Sequence, residues 1–181
     1  MADKIYWPYI YLCEDGPGGR KLVAYWPGAN SGVSVADGMD LGQLENSIFN
    51  ALTEPLKDKL LPYLGLRGLA AHKALLLHPL TLTDAECEEL EAPKRAVMTA
   101  SLSIHYDRDS AGPRFGDIPA GPQTAMMSVH WQYGALWVAT PRFWTTCCRQ
   151  DWKGAIAELR DFHDAYPTRR NRDADYLEAH L

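Results

Sequence analysis

Short stretches of β-forming residues separated by turn formers dominate the N-terminal part of the chain. Residues 5–12 and 21–26 are rich in aromatic and β-branched types, and residues 14–19 between them carry the glycines and proline of a turn. Residues 33–36 then alternate apolar and polar positions, which is typical of a half-buried strand. This pattern predicts an N-terminal hairpin followed by a short third strand.

The next segment changes to helical spacing. Four apolar residues follow Asp40 at intervals of three and four, namely Leu41, Leu44, Ile48 and Leu52. An aspartate in front of such a stripe is a favourable N-cap, so a helix is expected from residue 41. A second helix is expected to begin at Thr53, because Pro55 is tolerated in a first helical turn. A third helix is favoured over residues 69–77, although this segment is too short and too uniformly apolar for its period alone to distinguish a helix from a strand.

An acidic helix is predicted after these. Thr83 and Glu86 have the spacing of a capping box, in which each side chain bonds the other residue's backbone N–H. The helix is expected to cover residues 84–90 and to stop before Pro93, since proline breaks helix interiors.

Two further strands are predicted in the second half of the chain. Residues 95–106 alternate apolar and polar positions with a period of two, and so do the first residues of 126–139. No charged residue occurs from 118 to 141, which is typical of a buried hairpin. The Gly- and Pro-rich residues 107–124 are expected to be an irregular connection.

The last predicted helix begins behind Asp151 and ends before Pro167, with its apolar residues at helical spacing. Residues 168–181 are polar enough to form a loosely held arm. The sequence therefore predicts a single α+β domain over residues 1–167, followed by a polar C-terminal arm. Its fold is expected to be an antiparallel sheet with two or three helices packed on one face.

Composition limits the function classes. The 181 residues are 46% hydrophobic and 23% charged, as in ordinary globular proteins, and the net charge is −5. An acidic balance does not favour gripping nucleic acid phosphates. No basic segment followed by an apolar run marks a secretory signal, and no stretch has the character of a membrane helix. We therefore expect a cytoplasmic protein with reduced cysteines that binds neither nucleic acid nor membrane.

Common cofactor and catalytic motifs are missing from the sequence. It contains no glycine-rich phosphate loop, no Cys or His pair at the spacing of about two to five residues that zinc sites need, and no G-x-S-x-G serine elbow. No cofactor and no metal are therefore predicted, and the sequence favours a protein without catalytic activity.

One constellation offers chemistry as an alternative. His105 and His130 both fall on the polar side of predicted strands, so neighbouring strands would bring them together. Cys147 or Cys148 would then be a thiolate activated by imidazole, with Asp107 or Asp109 orienting the ring. This reading predicts a small hydrolase or transferase. A solvent-exposed face of an antiparallel sheet would carry the same polar residues without any catalytic role.

A run of carboxylates in the predicted acidic helix suggests a docking surface. Its members are Asp84, Glu86, Glu88, Glu89 and Glu91. Opposed charges speed the encounter of two proteins, so a partner with a basic surface is expected. Together with many aromatic residues, this favours an immunity or inhibitor protein that neutralises a toxin or enzyme by occluding it. A structural subunit of a larger assembly is a further alternative, and the oligomeric state stays open.

Overall fold

The computed structural model describes residues 3–15 and 19–181, which are mostly helical. The chain divides into two compact units. Glu14–Ala96 form the first, called here the sheet unit; Met1–Cys13 and Val97–Leu181 form the second, called the helical unit. The turn predicted over residues 14–19 falls largely on residues 16–18, which lie outside the described residues.

Helices make up most of the regular structure. The β-strands are β1 (Lys21–Tyr25), β2 (Ser34–Ala36) and β3 (Met39–Asp40). The helices are α1 (Trp7–Asp15), α2 (Asn46–Asn50), α3 (Glu54–Leu60), α4 (Gly68–Leu77), α5 (Asp84–Asp109), α6 (Ala120–Tyr133), α7 (Leu136–Ala139), α8 (Pro141–Cys148), α9 (Trp152–Arg160) and α10 (Pro167–Ala179). Single 3-10 turns occur at Leu41–Gln43, Leu61–Tyr63 and Phe115–Asp117.

The sheet of the sheet unit is small and antiparallel, with the order β1-β2-β3. This confirms the strands predicted at 21–26 and 33–36. A two-residue turn, Asp37-Gly38, joins β2 to β3. Ala36 and Gly38 both have positive φ angles there, 56° and 79°. Glycine adopts this region freely, whereas alanine does so under strain.

The helix starts of the sheet unit confirm several local predictions. Asp40 is confirmed as a cap, although the single helix predicted from residue 41 is instead a 3-10 turn, Leu41–Gln43, followed by the separate helix α2. Pro55 lies in the first turn of α3, as predicted. Thr83 and Glu86 form the predicted capping box at the start of α5. The apolar side chains between these elements form one core, which includes Val33, Val35, Leu41, Leu56, Leu60, Leu82 and Leu90.

Helix α6 is the centre of the helical unit. Every residue from Gly121 to Trp131 is buried in it. Helix α10 packs against both α6 and α9, and α8 packs against α9. The predicted N-cap Asp151 is confirmed, since its carboxylate accepts the N–H of Gly154 at the start of α9.

The predicted fold class is wrong. Residues 95–106 lie in α5 and most of residues 126–139 in α6 and α7, so the two central strands of the expected sheet do not exist. A helix that is buried on all sides shows no apolar stripe, so the period of 3.6 is lost from its sequence. The short alternation of polar and apolar residues in α6 then resembled a strand.

Further segments differ from prediction. The helix predicted between Asp151 and Pro167 ends at Arg160. Residues 5–12 lie mostly in α1 and not in a strand, because packing overrides the weak preference of aromatic residues for strands. Pro93 lies inside α5, which continues to Asp109. Residues 168–181 lie largely in α10, where Arg170, Asp173, Ala174 and Leu177 are buried. No helix among the described residues is both long and apolar enough to cross a membrane.

Candidate active site

Asp40, at the end of β3, has its carboxylate fixed by three donors. The N–H of Gly42 donates to Oδ1 at 2.8 Å, and the N–H of Gly32 donates to Oδ2 at 3.2 Å. The side-chain amide of Gln43 also donates to Oδ2, at 2.8 Å. The side chain is half-buried. Asp40 therefore presents an oriented carboxylate that solvent still reaches.

Two glycines make this arrangement possible. A Cβ added to Gly32 would lie 2.6 Å from the nitrogen of Gly42 and would also collide with the Asp40 carboxylate. A Cβ added to Gly42 would collide with the backbone oxygen of Leu66. Only glycine lets the backbone approach the carboxylate this closely.

Ser34 lies directly opposite Asp40 in the register of β2 and β3. Opposed residues of an antiparallel pair share one face, with Cβ atoms about 4.5–5.5 Å apart. A hydroxyl and a carboxylate at this spacing can hold a water molecule between them, because one can donate or accept and the other accepts.

A buried ion cluster holds the turn between these two strands. The N–H of Asp37 donates to Glu91 Oε1 at 2.8 Å, and Arg20 Nη2 donates to Glu91 Oε2 at 2.8 Å. Arg20 Nε donates to Asp37 Oδ2 at 3.1 Å. The side chains of Asp37 and Glu91 are 1% and 0% exposed. We call Arg20, Asp37 and Glu91 the turn clamp.

Opposing effects act on the pKa of Glu91 inside the turn clamp. Burial raises the pKa of Glu91 above its usual range, and repulsion from Asp37 adds to this, while the Asp37 N–H and the Arg20 guanidinium favour its charged form. Because Glu91 is fully enclosed, its carboxylate does not reach a ligand in solution.

Glu14, near the end of α1, is a second half-buried carboxylate in the sheet unit. Burial lowers the pKa of Lys94 even though the carboxylates of Glu14, Glu91 and Glu45 favour its charged form. Lys94 therefore lies within the electrostatic reach of both Glu14 and the turn clamp.

The predicted docking carboxylates of α5 occupy varied surroundings. Glu86 pairs with Lys59 at 2.6 Å, and Glu89 accepts the N–H of Thr53. Hydrogen bonds lower the pKa of Glu86, chiefly from Lys59, and of Glu88, chiefly from Arg95. Asp84 and Glu88 remain exposed. Glu91 is enclosed in the turn clamp, so it does not belong to an exposed face.

His105 and His130 both lie next to the indole ring of Trp137. They stand on helices α5 and α6 and not on the predicted strands. His105 stacks on Trp137 with ring centroids 3.4 Å apart, and His130 lies 5.8 Å from the same ring. Their Nδ1 atoms contact the backbone carbonyls of Ser101 and Gly134. Burial lowers the pKa of His130.

Of the other members of that constellation, Asp109 lies within electrostatic reach of His105 and accepts the indole N–H of Trp144 at 3.0 Å. Cys147 is fully buried, and burial raises the pKa of its thiol well above the usual value; burial also raises that of Cys148, to about 12. Asp107 accepts the N–H of Phe115 at 2.7 Å. Within the described residues, no hydrogen bond joins either histidine to Cys147 or Asp107. These thiols therefore stay neutral at physiological pH.

Two other features of the described residues bear on candidate sites. No group of three or more His, Cys, Asp or Glu side chains in them could hold a metal ion. An open cleft of about 700 Å³ lies in the helical unit, lined by Asp109, Ala111, Gly112, Pro113, Trp144, Thr145, Cys148, Arg149 and Gln150. It includes none of the sheet-unit carboxylates.

Sequence reasoning found Asp40 only as a helix cap and Glu14 only as part of a turn. It gave Arg20 no role. The signal that marks Asp40 is the set of glycines around it, Gly32, Gly38 and Gly42, on a segment with two short strands. Closely spaced glycines around one acid indicate a close backbone approach and not merely a cap.

A family of known proteins matches most of the chain. The family described as "Pesticin: Bacterial toxin homologue of phage lysozyme, C-term" matches residues 23–153. This match includes β2, β3 and most of β1, together with Asp40 and Glu91, whereas Glu14 and Arg20 precede it. No curated protein matches the chain.

Proposed function

The chain belongs to the family of the pesticin C-terminal domain, a bacterial toxin homologue of phage lysozyme, and from this premise we propose that it is a lysozyme-like toxin domain. Its substrate would be the glycan of the bacterial cell wall, and its reaction the hydrolysis of a glycosidic bond. Most enzymes of this type use two carboxyl groups, one as general acid and the other as base or nucleophile.

Asp40 is the proposed base. The observation that carries the proposal is the orientation of its carboxylate opposite Ser34. Its oxygens are oriented by N–H donors at a point that solvent reaches, and Ser34 lies opposite. A water held by the Ser34 hydroxyl gives a proton to Asp40 and attacks the anomeric carbon of the sugar. The bond from that carbon to the leaving oxygen breaks at the same time.

Glu14 is the proposed acid, because the leaving oxygen must take up a proton. Glu14 is half-buried, with its Oε1 buried, so it is less enclosed than Glu91. Glu91 has the raised pKa that suits a general acid, but its full burial keeps it from substrate. We therefore prefer Glu14 to Glu91 as the general acid, since an acid that cannot contact the leaving oxygen transfers no proton to it.

The proposal is tested by adding the purified chain to suspended cell-wall glycan and measuring loss of turbidity and release of soluble sugar fragments. Asp40→Asn and Glu14→Gln each lower the rate by about 10²–10⁴-fold, the usual contribution of one general acid or base. Asparagine keeps an oxygen that can cap the following turn, so this variant separates the catalytic role of Asp40 from its capping role.

The matched control is Asp58→Asn on α3, an exposed carboxylate with no hydrogen bond or ion pair in the part of the chain the structure describes. It keeps the parent rate. No fragment release by the parent above the Asp40→Asn background would overturn the proposal.

Neutralisation of such a toxin, the immunity role predicted from the sequence, is the second candidate. The observation that favours it is a set of exposed leucines on α4, where Leu69, Leu76 and Leu77 are 69%, 68% and 75% exposed. Exposed apolar patches often mark protein-binding surfaces. The exposed carboxylates of Asp84 and Glu88 would add attraction for a basic partner.

The same assay separates the two candidates. An immunity protein releases no fragments itself, and at an equimolar ratio it stops fragment release by an added phage lysozyme. A hydrolase adds its own release to that of the added enzyme.

A further inference from the structure

We infer that Glu91 and Arg20 are positioning residues for the proposed site: the turn clamp fixes the β2–β3 turn and thereby the placement of Asp40 against Ser34. This rests on the proposed function. Neither side chain touches substrate in this role, and both act through the Asp37 backbone and side chain.

The hairpin formed by β2 and β3 is very short. Strand β2 has three residues and β3 has two, and only Ser34–Asp40 and Val35–Met39 are paired between them. So short a ladder contributes little by itself to fixing the hairpin, and in the described sheet β1 pairs with β2, so β3 has β2 as its strand partner and lies at the edge. Contacts to the β2–β3 turn from outside the sheet therefore help to hold the two side chains in place.

The backbone is strained beside the turn clamp. Ala36, immediately before Asp37, has a φ of 56°, a region that alanine adopts only at an energetic cost. Such conformations persist when surrounding contacts determine them, and they cluster at functional sites. The N–H that Glu91 accepts belongs to the next residue, so the clamp acts where the backbone would otherwise relax.

Positively charged side chains surround Glu91 and connect it to the turn. Arg20 binds both Asp37 and Glu91, so it links the turn to α5. Arg95 also approaches Glu91, at 3.7 Å, and Lys94 lies within its field. Glu88 accepts from Arg20 at 3.4 Å but makes no bond to Asp37, and it is 54% exposed.

Glu88 therefore supplies a matched control. Glu88→Gln and Glu91→Gln remove the same charge from the same helix and the same arginine, but only the second weakens the hold on the Asp37 N–H. Arg20→Gln is the second test variant, since it removes the other arm of the clamp from a side chain that is 21% exposed.

The experiment measures amide hydrogen exchange at Asp37 by NMR together with kcat and KM for fragment release. In Glu91→Gln and Arg20→Gln we expect Asp37 to exchange about tenfold faster. We expect kcat to fall about tenfold while KM stays within about twofold, as for a lost transition-state alignment. Glu88→Gln keeps parent values of all three.

Two results overturn the inference: parent-like exchange at Asp37 in both clamp variants, or faster exchange with parent kcat. A parent chain that releases no fragments overturns the proposed function instead. The exchange comparison then decides the clamp by itself: faster exchange in both variants supports it, and parent-like exchange overturns it.

Discussion

Ser34 and Asp40 face each other across β2 and β3, and the carboxylate of Asp40 is fixed by backbone N–H groups on both of its oxygens. A carboxylate held in this way has little freedom to approach a sugar carbon and form a bond with it. It is well placed to take a proton from a water molecule beside the Ser34 hydroxyl.

The first prediction concerns that hydroxyl. Ser34→Ala removes one of the two groups that hold the water, so kcat should fall about 10–100-fold, the effect of a misplaced reactant. The fold should be retained, because only one small polar group is lost. Ser47→Ala, at an exposed serine of α2, is the control and should keep the parent kcat. An unchanged kcat in Ser34→Ala would remove Ser34 from the mechanism.

The second prediction concerns the stereochemistry of the product. Direct attack by water on the face opposite the leaving group inverts the anomeric carbon, whereas a covalent intermediate retains its configuration. We expect inversion, since Asp40 is proposed to act through water. Proton NMR of the first product released from a soluble cell-wall oligosaccharide distinguishes the two anomers. A retained anomer would make Asp40 a nucleophile and leave the water of Ser34 without a role.

The local signals of the sheet unit were read correctly because they depend on nearest neighbours. The Asp40 cap, the Thr83–Glu86 capping box and the strand at β1 all follow from a few adjacent residues. Helix α6 could not be predicted in this way. Its residues 121–131 are buried on every side, so no polar face marked the helical period.

The candidate site was harder to predict than the small sheet. The turn clamp joins Arg20, Asp37 and Glu91, which are far apart in sequence and carry no spacing rule. The segment with Glu91 read as an exposed acidic helix because charged residues are almost never fully buried unless paired. Its partner, Arg20, stands 71 positions away, so the pairing was invisible in the sequence.

The third prediction is a pH dependence of stability caused by His130. Burial lowers its pKa in the folded chain below the ordinary histidine value of 6.5, so the unfolded chain binds more protons in the window below pH 6.5. The free energy of unfolding should therefore fall as pH drops through 6.5 towards the folded pKa. His130→Gln, which does not titrate, should show a smaller fall. Urea unfolding between pH 5 and 8 provides the measurement, and identical pH slopes in both proteins would contradict the prediction.

The fourth prediction concerns the buried ion pair of the helical unit. Arg170 donates to Asp173 at 2.6 Å and to Asp164 at 3.0 Å, and the side chains of Arg170 and Asp173 are 1% and 0% exposed. Burial raises the pKa of Asp173, and Arg170 opposes this. Arg170→Ala leaves a buried carboxylate without its cation, which should lower the free energy of unfolding by about 3–5 kcal/mol. Arg172→Ala, at an exposed arginine of the same helix, should change it little.

A double variant separates a lost attraction from an uncompensated charge. If the damage in Arg170→Ala comes from the charge left on Asp173, then removing both charges should restore most of the stability, because apolar residues of similar volume often replace buried ion pairs at little cost. Arg170→Met with Asp173→Leu should therefore unfold at a higher urea concentration than Arg170→Ala. Equal midpoints would mean that the pair is needed for its own hydrogen bonds, including the one that the Tyr9 hydroxyl donates to Asp173 at 2.9 Å.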